Sequence, residues 1–323
     1  MDYQEKIDYS SLSTYQVCPR KFLFQYIMNL RSPYKSIHLV FGACWHYGLE
    51  VVYKAIKSGE QLTELEATIM STKAFNLLWK IEGAPHFPDE DIIFPKSPGH
   101  AANMYKKYWE RFLHSDSRKT IIDVEAPFVI NLNTYALNLP NYIGRLDLIF
   151  ADNLGNPIIV DHKTTKAIYQ TTVTGFEASY QTDGYLAAGR IYYEKIPSMV
   201  YRVALCQKSK IAFENYTINK RVMAIEHFLH DLVYFTKEII TNLDILNDDI
   251  IRCTERNDIL NSFPRCSGYS CTTYMSNCSY YDLCRLRNNP LLWLHKPPQG
   301  FIYDEWDPDL HEEKMRRKLA EVM

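Results

Sequence analysis

Acidic and basic side chains interrupt two apolar segments in the middle of the chain. Asp147 lies within the segment 142–150, and Asp161 and Lys163 end the segment 157–163. Both segments have the composition of β-strands, and turn-forming residues separate them. Since side chains alternate between the faces of a strand, Asp161 and Lys163 point the same way. The sequence therefore predicts two adjacent strands that can bring two carboxylates and an amine to one place.

Such a group of side chains suits metal-assisted chemistry. Two clustered carboxylates repel each other unless a cation lies between them, and hard oxygen ligands favour Mg²⁺ or Mn²⁺. A lysine beside them can orient a water molecule or stabilise a developing negative charge. The alternative is a hairpin with polar ends and no chemistry, because short motifs of this kind recur by chance.

The composition limits the class of protein. The chain has 323 residues, of which 46% are hydrophobic and 23% charged, and its formal net charge is −2. These values suit one large or two modest globular domains and show no overall basic field for nucleic acid. No apolar run approaches the roughly 18 residues of a membrane span, so we expect a cytoplasmic protein without membrane contact. Candidates for a local basic groove are Lys163, Lys166, Lys208, Lys210, Lys220 and Arg221.

The periodicity of the remaining chain predicts the elements that position these residues. We predict helices over residues 9–28, 37–57, 61–81, 98–115, 175–193 and 219–246. We predict strands over residues 120–132, 142–150, 157–163, 198–207 and 211–218.

Two of the predicted elements carry further acidic or imidazole side chains. His46 and Glu50 are four residues apart and share one face of the helix over 37–57. A lone helical histidine is often a satisfied interior residue, which is the alternative for His46. Glu125 lies on the strand over 120–132 and could approach the metal ions, although we expect it to have a peripheral role.

Gln181 and Tyr185 are one turn apart in the helix predicted over 175–193. An amide and a phenol on one helix face could hold a nucleotide phosphate or support an active site. The alternative is a helix with an exposed glutamine.

Eight cysteines are many for a cytoplasmic chain, where disulfides are disfavoured. Cys271, Cys278 and Cys284 lie in a loop rich in Gly, Ser and Asn, and Cys266 lies just before them. Three thiolates this close indicate zinc or an iron–sulfur cluster. The close cysteine pairs of most zinc sites are missing, and the spacing differs from that of ferredoxins.

In the order of its motifs, the chain resembles the RecB-like branch of the PD-(D/E)XK nucleases. In that family an Asp ends one strand, a D/E-x-K motif ends the next, an early helix carries a metal-binding His, and a Q-x-x-x-Y motif follows. The matching residues, in the same order, are His46, Asp147, Asp161 with Lys163, and Gln181 with Tyr185. The proline of the family name is absent, since Leu146 precedes Asp147.

The cysteines are similar to those of the iron–sulfur subset of this branch, which includes the AddB nuclease domain and the CRISPR-associated and many phage exonucleases. There, one Cys near the N-terminus, often followed by Pro and Arg, joins three in a C-terminal loop. Cys18, followed by Pro19 and Arg20, matches the first position, and Cys271, Cys278 and Cys284 match the other three. Cys266 could replace Cys271, and the choice between them stays open. The resemblance implies a mainly structural 4Fe–4S cluster.

The resemblance also implies the fold and the domain organisation. We expect an α/β fold with a restriction-endonuclease-like core, in which helices flank a central mixed sheet and the cluster joins the N- and C-terminal segments. A single nuclease domain should cover residues 1–285, with its core at about 37–246 and its cluster segments at about 9–28 and 265–285. Residues 286–323 should form a C-terminal arm.

The function implied by the resemblance is metal-dependent hydrolysis of DNA. His46, Asp147, Asp161 and the backbone carbonyl of His162 would bind Mg²⁺ or Mn²⁺. The catalytic residues would be Asp147, Asp161, Lys163, Gln181 and Tyr185, with Glu50 as a partner of His46. The substrate would be DNA with a single-stranded end, degraded exonucleolytically in replication, recombination or repair, as by many phage-encoded relatives.

Two other functions stay open. One is a DNA-end-binding module that does not cleave and is held together by an iron–sulfur or zinc site. The other is a zinc-containing hydrolase of another substrate. Nothing in the sequence identifies a protein partner.

Overall fold

The computed structural model describes residues 6–87, 95–195, 197–253, 259–266, 268–273, 276–286, 289–305 and 317. The helices are α1 (Tyr9–Val17), α2 (Pro19–Phe22), α3 (Ile37–Lys57), α4 (Glu64–Glu82), α5 (Pro98–Asp116), α6 (Thr171–Glu177), α7 (Tyr180–Tyr193), α8 (Val222–Cys253) and α9 (Tyr281–Leu286). The strands are β1 (Lys6–Ile7), β2 (Leu30–Arg31), β3 (Thr120–Ile130), β4 (Asn141–Ala151), β5 (Pro157–Thr165), β6 (Ser198–Cys206), β7 (Ile211–Ile218), β8 (Thr272–Thr273), β9 (Ser276–Asn277) and β10 (Ile302–Tyr303).

The main sheet is mixed and has six strands among the described residues. Its order is β1-β4-β5-β6-β7, and β3 also pairs with β4. β4 and β5 are antiparallel, β5 and β6 are parallel, and β6 and β7 are antiparallel. Helices flank this sheet, so the expected α/β class with a central mixed sheet is confirmed.

The chain forms two compact units. The described residues of the first unit lie within 1–33, 129–143 and 227–312, and those of the second unit lie within 34–128, 144–226 and 313–323.

In the second unit, the β4–β5 hairpin has the predicted form. Its register pairs Leu148 with Val160, which brings the next residues outward, Asp147 and Asp161, close together. In the turn, Asp152 Oδ1 accepts hydrogen bonds from the backbone N–H groups of Leu154 and Asn156 at 2.8 and 2.7 Å. The predicted pairing of these two strands is thus confirmed.

Three helices of the second unit, α3, α4 and α5, pack together beside the sheet and form most of its core. A Cβ atom at Gly48 of α3 would lie 2.1 Å from the hydroxyl of Tyr105 of α5. That hydroxyl donates to the backbone carbonyl of Trp45 at 2.9 Å, and the two rings stack with centroids 4.3 Å apart. Gly48 therefore allows the close approach that locks α3 against α5.

Two predicted helices are interrupted in the structure. The helix expected over 9–28 breaks at Cys18, which is extended (φ −163°, ψ 108°), because a residue before proline is disfavoured in helical conformation. The helix expected over 175–193 is divided into α6 and α7 at Ser179, whose hydroxyl accepts a hydrogen bond from the backbone N–H of Gln181 at 3.2 Å. Serine is a preferred N-cap, so a new helix begins there.

The first unit contains residues 286 and 289–305 of the predicted C-terminal arm. There β10 pairs antiparallel with β2, and the rings of Tyr280 and Phe301 stack with centroids 5.5 Å apart. Arg20 is buried in this unit and donates from Nε to the backbone carbonyl of Phe263 at 2.8 Å. None of the helices in the described ranges has the length and hydropathy needed to cross a membrane.

Candidate active site

Three side chains from three elements form the tightest group of possible metal ligands in the described part of the chain. His46 comes from α3, Glu125 from β3 and Asp147 from β4, and one ligand atom of each lies within 4.8 Å of the others. His46 Nδ1 is 3.1 Å from Asp147 Oδ2. The imidazole and carboxylate donors of this group suit Mn²⁺ or Mg²⁺.

The electrostatics of the group favour a cation. Burial alone would lower the pKa of His46, but the Asp147 carboxylate, followed by Glu125 and Asp161, raises it to about 9. Burial and the Asp147 charge raise the pKa of Glu125 to about 8. Despite burial, the His46 and His162 side chains hold the pKa of Asp147 well below its usual value. A protonated His46 therefore supplies the positive charge that a divalent cation would supply when bound.

Glu125 reaches this group through an unusual backbone conformation. Its φ is +53°, in the left-handed region, although it lies within β3. Such a residue bends a strand and redirects its side chains. The structure places the carboxyl of Glu125 beside His46 and Asp147, in line with the expectation that it could approach the metal ions.

Asp161 lies beside the group and is paired with Lys163. Only 1% of Asp161 is exposed, and Lys163 Nζ lies 2.9 Å from its Oδ2 and 3.1 Å from its Oδ1. Burial raises the pKa of Asp161 to about 6, with Lys163 opposing and Asp147 adding to the rise. Oδ2 is thus a buried oxygen whose partner is the Lys163 amine. A carboxylate is a hard oxygen donor of the kind that Mg²⁺ and Mn²⁺ prefer, so Asp161 fits the predicted role.

Lys163 is held by the residues of the predicted Q-x-x-x-Y motif. It donates to Gln181 Oε1 at 3.0 Å, and Gln181 Nε2 donates to the Tyr185 hydroxyl at 3.0 Å. Gln181 Nε2 also lies 3.4 Å from Asp161 Oδ1. The amide therefore orients both members of the Asp161–Lys163 pair, and the structure brings all four of these predicted residues together.

His162 contacts Asp147 through its backbone and also enters a buried network through its ring. Its N–H donates to Asp147 Oδ2 at 2.9 Å, and its Nδ1 lies 3.7 Å from the same oxygen. Its Nε2 is 3.0 Å from the Tyr108 hydroxyl. Burial lowers the pKa of His162 to about 4, so the ring is neutral at neutral pH. The family resemblance implies a role only for its backbone carbonyl.

The buried network continues from Tyr108 to an ion pair. Arg202 Nη1 donates to Asp116 Oδ2 at 2.6 Å, to Tyr108 at 2.8 Å and to Tyr53 at 2.9 Å. Each of these side chains is at most 4% exposed. Breaking one of these contacts would leave a buried charge uncompensated, which is costly. The network is therefore held in one geometry. One signal in the sequence was an arginine inside the otherwise apolar β6.

Glu50, expected as a partner of His46, has a different contact. Its carboxylate accepts a hydrogen bond from Lys54, one turn further along α3. The hydrogen-bond partner of His46 is Asp147.

Five cysteines lie near one another in the first unit. The Cys18 thiol is hydrogen-bonded to Cys266, Cys271 Sγ lies 3.6 Å from the backbone oxygen of Cys266, and the N–H of Cys278 donates to the carbonyl of Cys271 at 2.8 Å. Burial raises the pKa of Cys284 to about 11, with Arg20 opposing and Cys18 adding to the rise. The N-terminal Cys18 thus lies among the C-terminal cysteines.

These thiols are free in the structure and have the donor chemistry of a cluster site. Among the described residues, no three cysteine sulfurs are as close together as the His46 group. A four-iron cluster is larger than a single ion, so its thiolates can lie further apart. The thiols have the donor chemistry for such a group, and Cys266 lies beside both Cys18 and Cys271.

Comparison with known proteins identifies the family. A family model matches residues 7–285, and the chain belongs to the PD-(D/E)XK nuclease superfamily. Membership implies a metal-dependent nuclease that hydrolyses phosphodiester bonds of DNA with Mg²⁺ or Mn²⁺. No curated protein matches the chain significantly.

A solved structure described as "Crystal structure of SSO0001" is similar to this chain, with 14% sequence identity, 78% of this chain and 87% of that chain covered, and a TM-score of 0.33. A likeness of this size supports no inference about the present protein.

Proposed function

We propose that the protein is a metal-dependent exodeoxyribonuclease that degrades DNA from single-stranded ends. The observation that carries the proposal is Lys163, held 3.0 Å from Gln181 and 3.1 Å from Asp161, on the strand next to Asp147. A lysine fixed beside a carboxylate cluster is suited to a reaction in which negative charge develops on a phosphate.

Each residue has a distinct role in this proposal. His46, Glu125 and Asp147 hold a divalent cation, and Asp161 contributes its buried carboxylate, which is paired with Lys163. When bound, the cation lowers the pKa of a water molecule and stabilises charge on the phosphate oxygens.

The Lys163 amine donates to the attacking water or to a phosphate oxygen. Gln181 and Tyr185 keep the amine in position through their chain of hydrogen bonds. His162 keeps the Asp147 carboxylate oriented through its backbone N–H.

The proposed requirement for an end rests on the resemblance to the exonucleases, and the proposed preference for single strands rests on the net charge. The net charge of −2 disfavours binding of duplex DNA by a broad basic face. Lys220 is no longer a candidate for the basic groove, because it forms an ion pair with Asp183. A narrow site around Lys163 and Gln181 then contacts the backbone of one strand, which is sequence-independent recognition.

The test is digestion of end-labelled linear and covalently closed single-stranded DNA with Mn²⁺. The linear strand should shorten progressively while the circle survives. Asp147→Asn should abolish the reaction, whereas the exposed control Glu60→Gln should retain it. Equal loss of circles and linear strands would show an endonuclease. Binding to ends without cleavage by the wild type would favour the DNA-end-binding module.

We further propose that Cys18, Cys278, Cys284 and either Cys266 or Cys271 hold a 4Fe–4S cluster with a structural role. The contact of Cys18 with Cys266, which is distant from it in the sequence, supports this. Closing so long a loop removes unfolded-state entropy. Iron and zinc analysis of anaerobically purified protein separates this proposal from a zinc site, and a cysteine site with neither metal would overturn it.

The domain organisation is also a proposal. The family match at 7–285 includes residues of both compact units. This supports one nuclease domain over 1–285. By resemblance to the RecB-like branch, we infer a cytoplasmic role in DNA replication, recombination or repair. Limited proteolysis would test the domain boundary, because a stable core ending near residue 285 is expected.

A further inference from the structure

A cleft of about 480 Å³ lies on the second unit, away from the residues that form the candidate active site. One wall is the exposed face of α5, with Lys106, Lys107 and Glu110. The other wall is the turn between β6 and β7, with Lys208 and Lys210. The cleft is therefore built from two rigid elements of the unit that also carries His46 and Asp147.

The lining of the cleft is strongly basic. Four lysines face one glutamate, in a chain whose net charge is −2. Lys106, Lys107 and Lys210 form no ion pair or side-chain hydrogen bond with any described residue. Like charges this close repel one another, so their convergence on a concave surface costs stability unless an anion binds. A scattered set of solvated surface lysines would not line one cavity.

The positive field extends from the cleft toward β5. The pKa of the buried His100, which also lines the cleft, is lowered by burial and then by Lys96 and Lys107. The pKa of His38 is lowered by burial and then by Lys166 and Lys96. Lys96 is almost fully buried and donates to Thr164 Oγ1 at 3.2 Å. Lysine side chains therefore lie between the cleft and Thr164, the residue that follows Lys163.

A direct contact connects the cleft to the end of β5. Gln207, at the start of the β6–β7 turn, donates from Nε2 to the backbone carbonyl of Lys166 at 2.8 Å. Lys166 lies three residues beyond Lys163, a span of at most roughly 10 Å in an extended chain. A flexible polyanion at Lys163 could thus pass Lys166 and enter the cleft.

The type of cation indicates the type of anion. The lining contains four lysines and no arginine, and lysine binds phosphate as a point charge without the fixed fork of a guanidinium. A cleft of this kind suits several successive phosphates in variable positions better than one small ligand in a fixed pose.

We propose that this cleft binds the phosphate backbone of the nucleic-acid strand a few nucleotides from the scissile bond, an inference that rests on the proposed nuclease function. The cleft supplies affinity that is independent of base sequence and depends on salt and strand length. It leaves the reaction at the catalytic residues unchanged.

The test compares Lys106→Gln/Lys107→Gln/Lys210→Gln with a control carrying the same number of changes at exposed lysines elsewhere, Lys73→Gln/Lys237→Gln/Lys296→Gln. Binding of labelled oligothymidylate of about 20 and about 5 nucleotides is measured by fluorescence anisotropy without divalent metal, over a range of salt concentrations. Hydrolysis of a small phosphodiester, bis(p-nitrophenyl) phosphate, is measured with Mn²⁺.

The cleft variant should bind the long oligonucleotide at least about tenfold more weakly, and the slope of log K against log salt should fall by about 2. Binding of the short oligonucleotide and hydrolysis of the small ester should match wild type, and the control variant should match wild type throughout.

The other outcomes separate this inference from the proposed function. If the wild type cleaves DNA and the cleft variant binds the long strand as tightly as the control does, the cleft assignment is wrong and the nuclease function stands. If the wild type cleaves nothing but its long-strand binding needs the cleft, the nuclease function fails and the nucleic-acid site stands. If the cleft variant loses binding of polyglutamate but binds oligonucleotides as the wild type does, the cleft binds an acidic protein instead.

Discussion

The hydroxyl of Tyr108 lies 3.0 Å from Nε2 of His162, and the backbone N–H of His162 donates to Asp147. A tyrosine on α5 thus fixes a residue on β5 that in turn orients a candidate metal ligand on β4. The same hydroxyl accepts a hydrogen bond from Arg202 at 2.8 Å. The buried ion pair of Arg202 and Asp116 therefore supports the position of the Asp147 carboxylate.

Tyr108→Phe should lower both stability and turnover. Leaving buried partners of Tyr108 unsatisfied should reduce the free energy of unfolding by about 1–3 kcal/mol, and the looser Asp147 should weaken Mn²⁺ binding. Tyr105→Phe is the matched control, because its buried hydroxyl bonds only to backbone carbonyls of α3 in the described residues. Urea unfolding and turnover per folded molecule are measured on both variants. Equal effects on turnover would mean that Tyr108 acts only through stability.

Glu125→Gln should weaken Mn²⁺ binding by at least about tenfold, the scale on which changes around a metal site act. The reason is that Glu125 lies within 4.8 Å of the His46 and Asp147 ligand atoms. The control Glu50→Gln removes a nearby carboxylate that pairs with Lys54. The Mn²⁺ affinity of this variant should stay within about threefold of wild type. Isothermal titration with Mn²⁺ measures the affinity of both variants. Equal losses of affinity would show that Glu125 is not a metal ligand.

Mn²⁺ affinity should rise with pH up to about 9, the pKa to which Asp147 raises His46. A metal ion binds the neutral imidazole, so binding releases this proton and adds at most about tenfold in affinity per pH unit. In His46→Gln the rise should be flatter, and the remaining slope should come from Glu125, whose pKa is raised by burial and by Asp147. A wild-type affinity that is constant between about pH 7 and 9 would contradict the assignment.

The metal-free protein should show the opposite pH dependence in stability. The folded pKa of His46, about 9, lies above the ordinary value of 6.5. The protonated ring therefore stabilises the fold fully below about pH 6.5, and this contribution is lost as the pH rises through about 9. Asp147→Asn should remove this part of the profile. Thermal melting of both proteins in EDTA across this range is the measurement.

One of the two neighbouring cysteines should be dispensable for the proposed cluster. Cys18→Ser, Cys278→Ser and Cys284→Ser should each lose iron and visible absorbance. Of Cys266→Ser and Cys271→Ser, only one should do so; the sequence pattern favours Cys271, and the contact of Cys266 with the Cys18 thiol favours Cys266. Cys206→Ser is a control at a buried cysteine of the second unit. Full iron content in Cys18→Ser would contradict the long-range attachment.

Local patterns predicted the elements that carry the site. The bounds of α3 follow from its hydrophobic period, and the pairing of β4 with β5 follows from two apolar runs around a turn. The breaks at Cys18 and Ser179 could also have been predicted, because Pro19 and a serine N-cap are local signals.

Contacts between distant elements could not be predicted in this way. Tyr53, Tyr108 and Arg202 come from α3, α5 and β6, and no spacing in the sequence shows that their side chains meet. The role of Glu125 depends on a positive φ that a glutamate rarely adopts. Packing of the whole unit determines both features.

The left-handed conformation of Glu125 lowers the stability of the fold, but it keeps a candidate metal ligand in the site. Holding a non-glycine residue at a φ of +53° costs about 1–2 kcal/mol, and glycine would relieve this strain but remove the carboxylate. A library randomised at position 125 and selected only for survival at high temperature should therefore become enriched in glycine. The same library selected for growth under manganese limitation should retain glutamate.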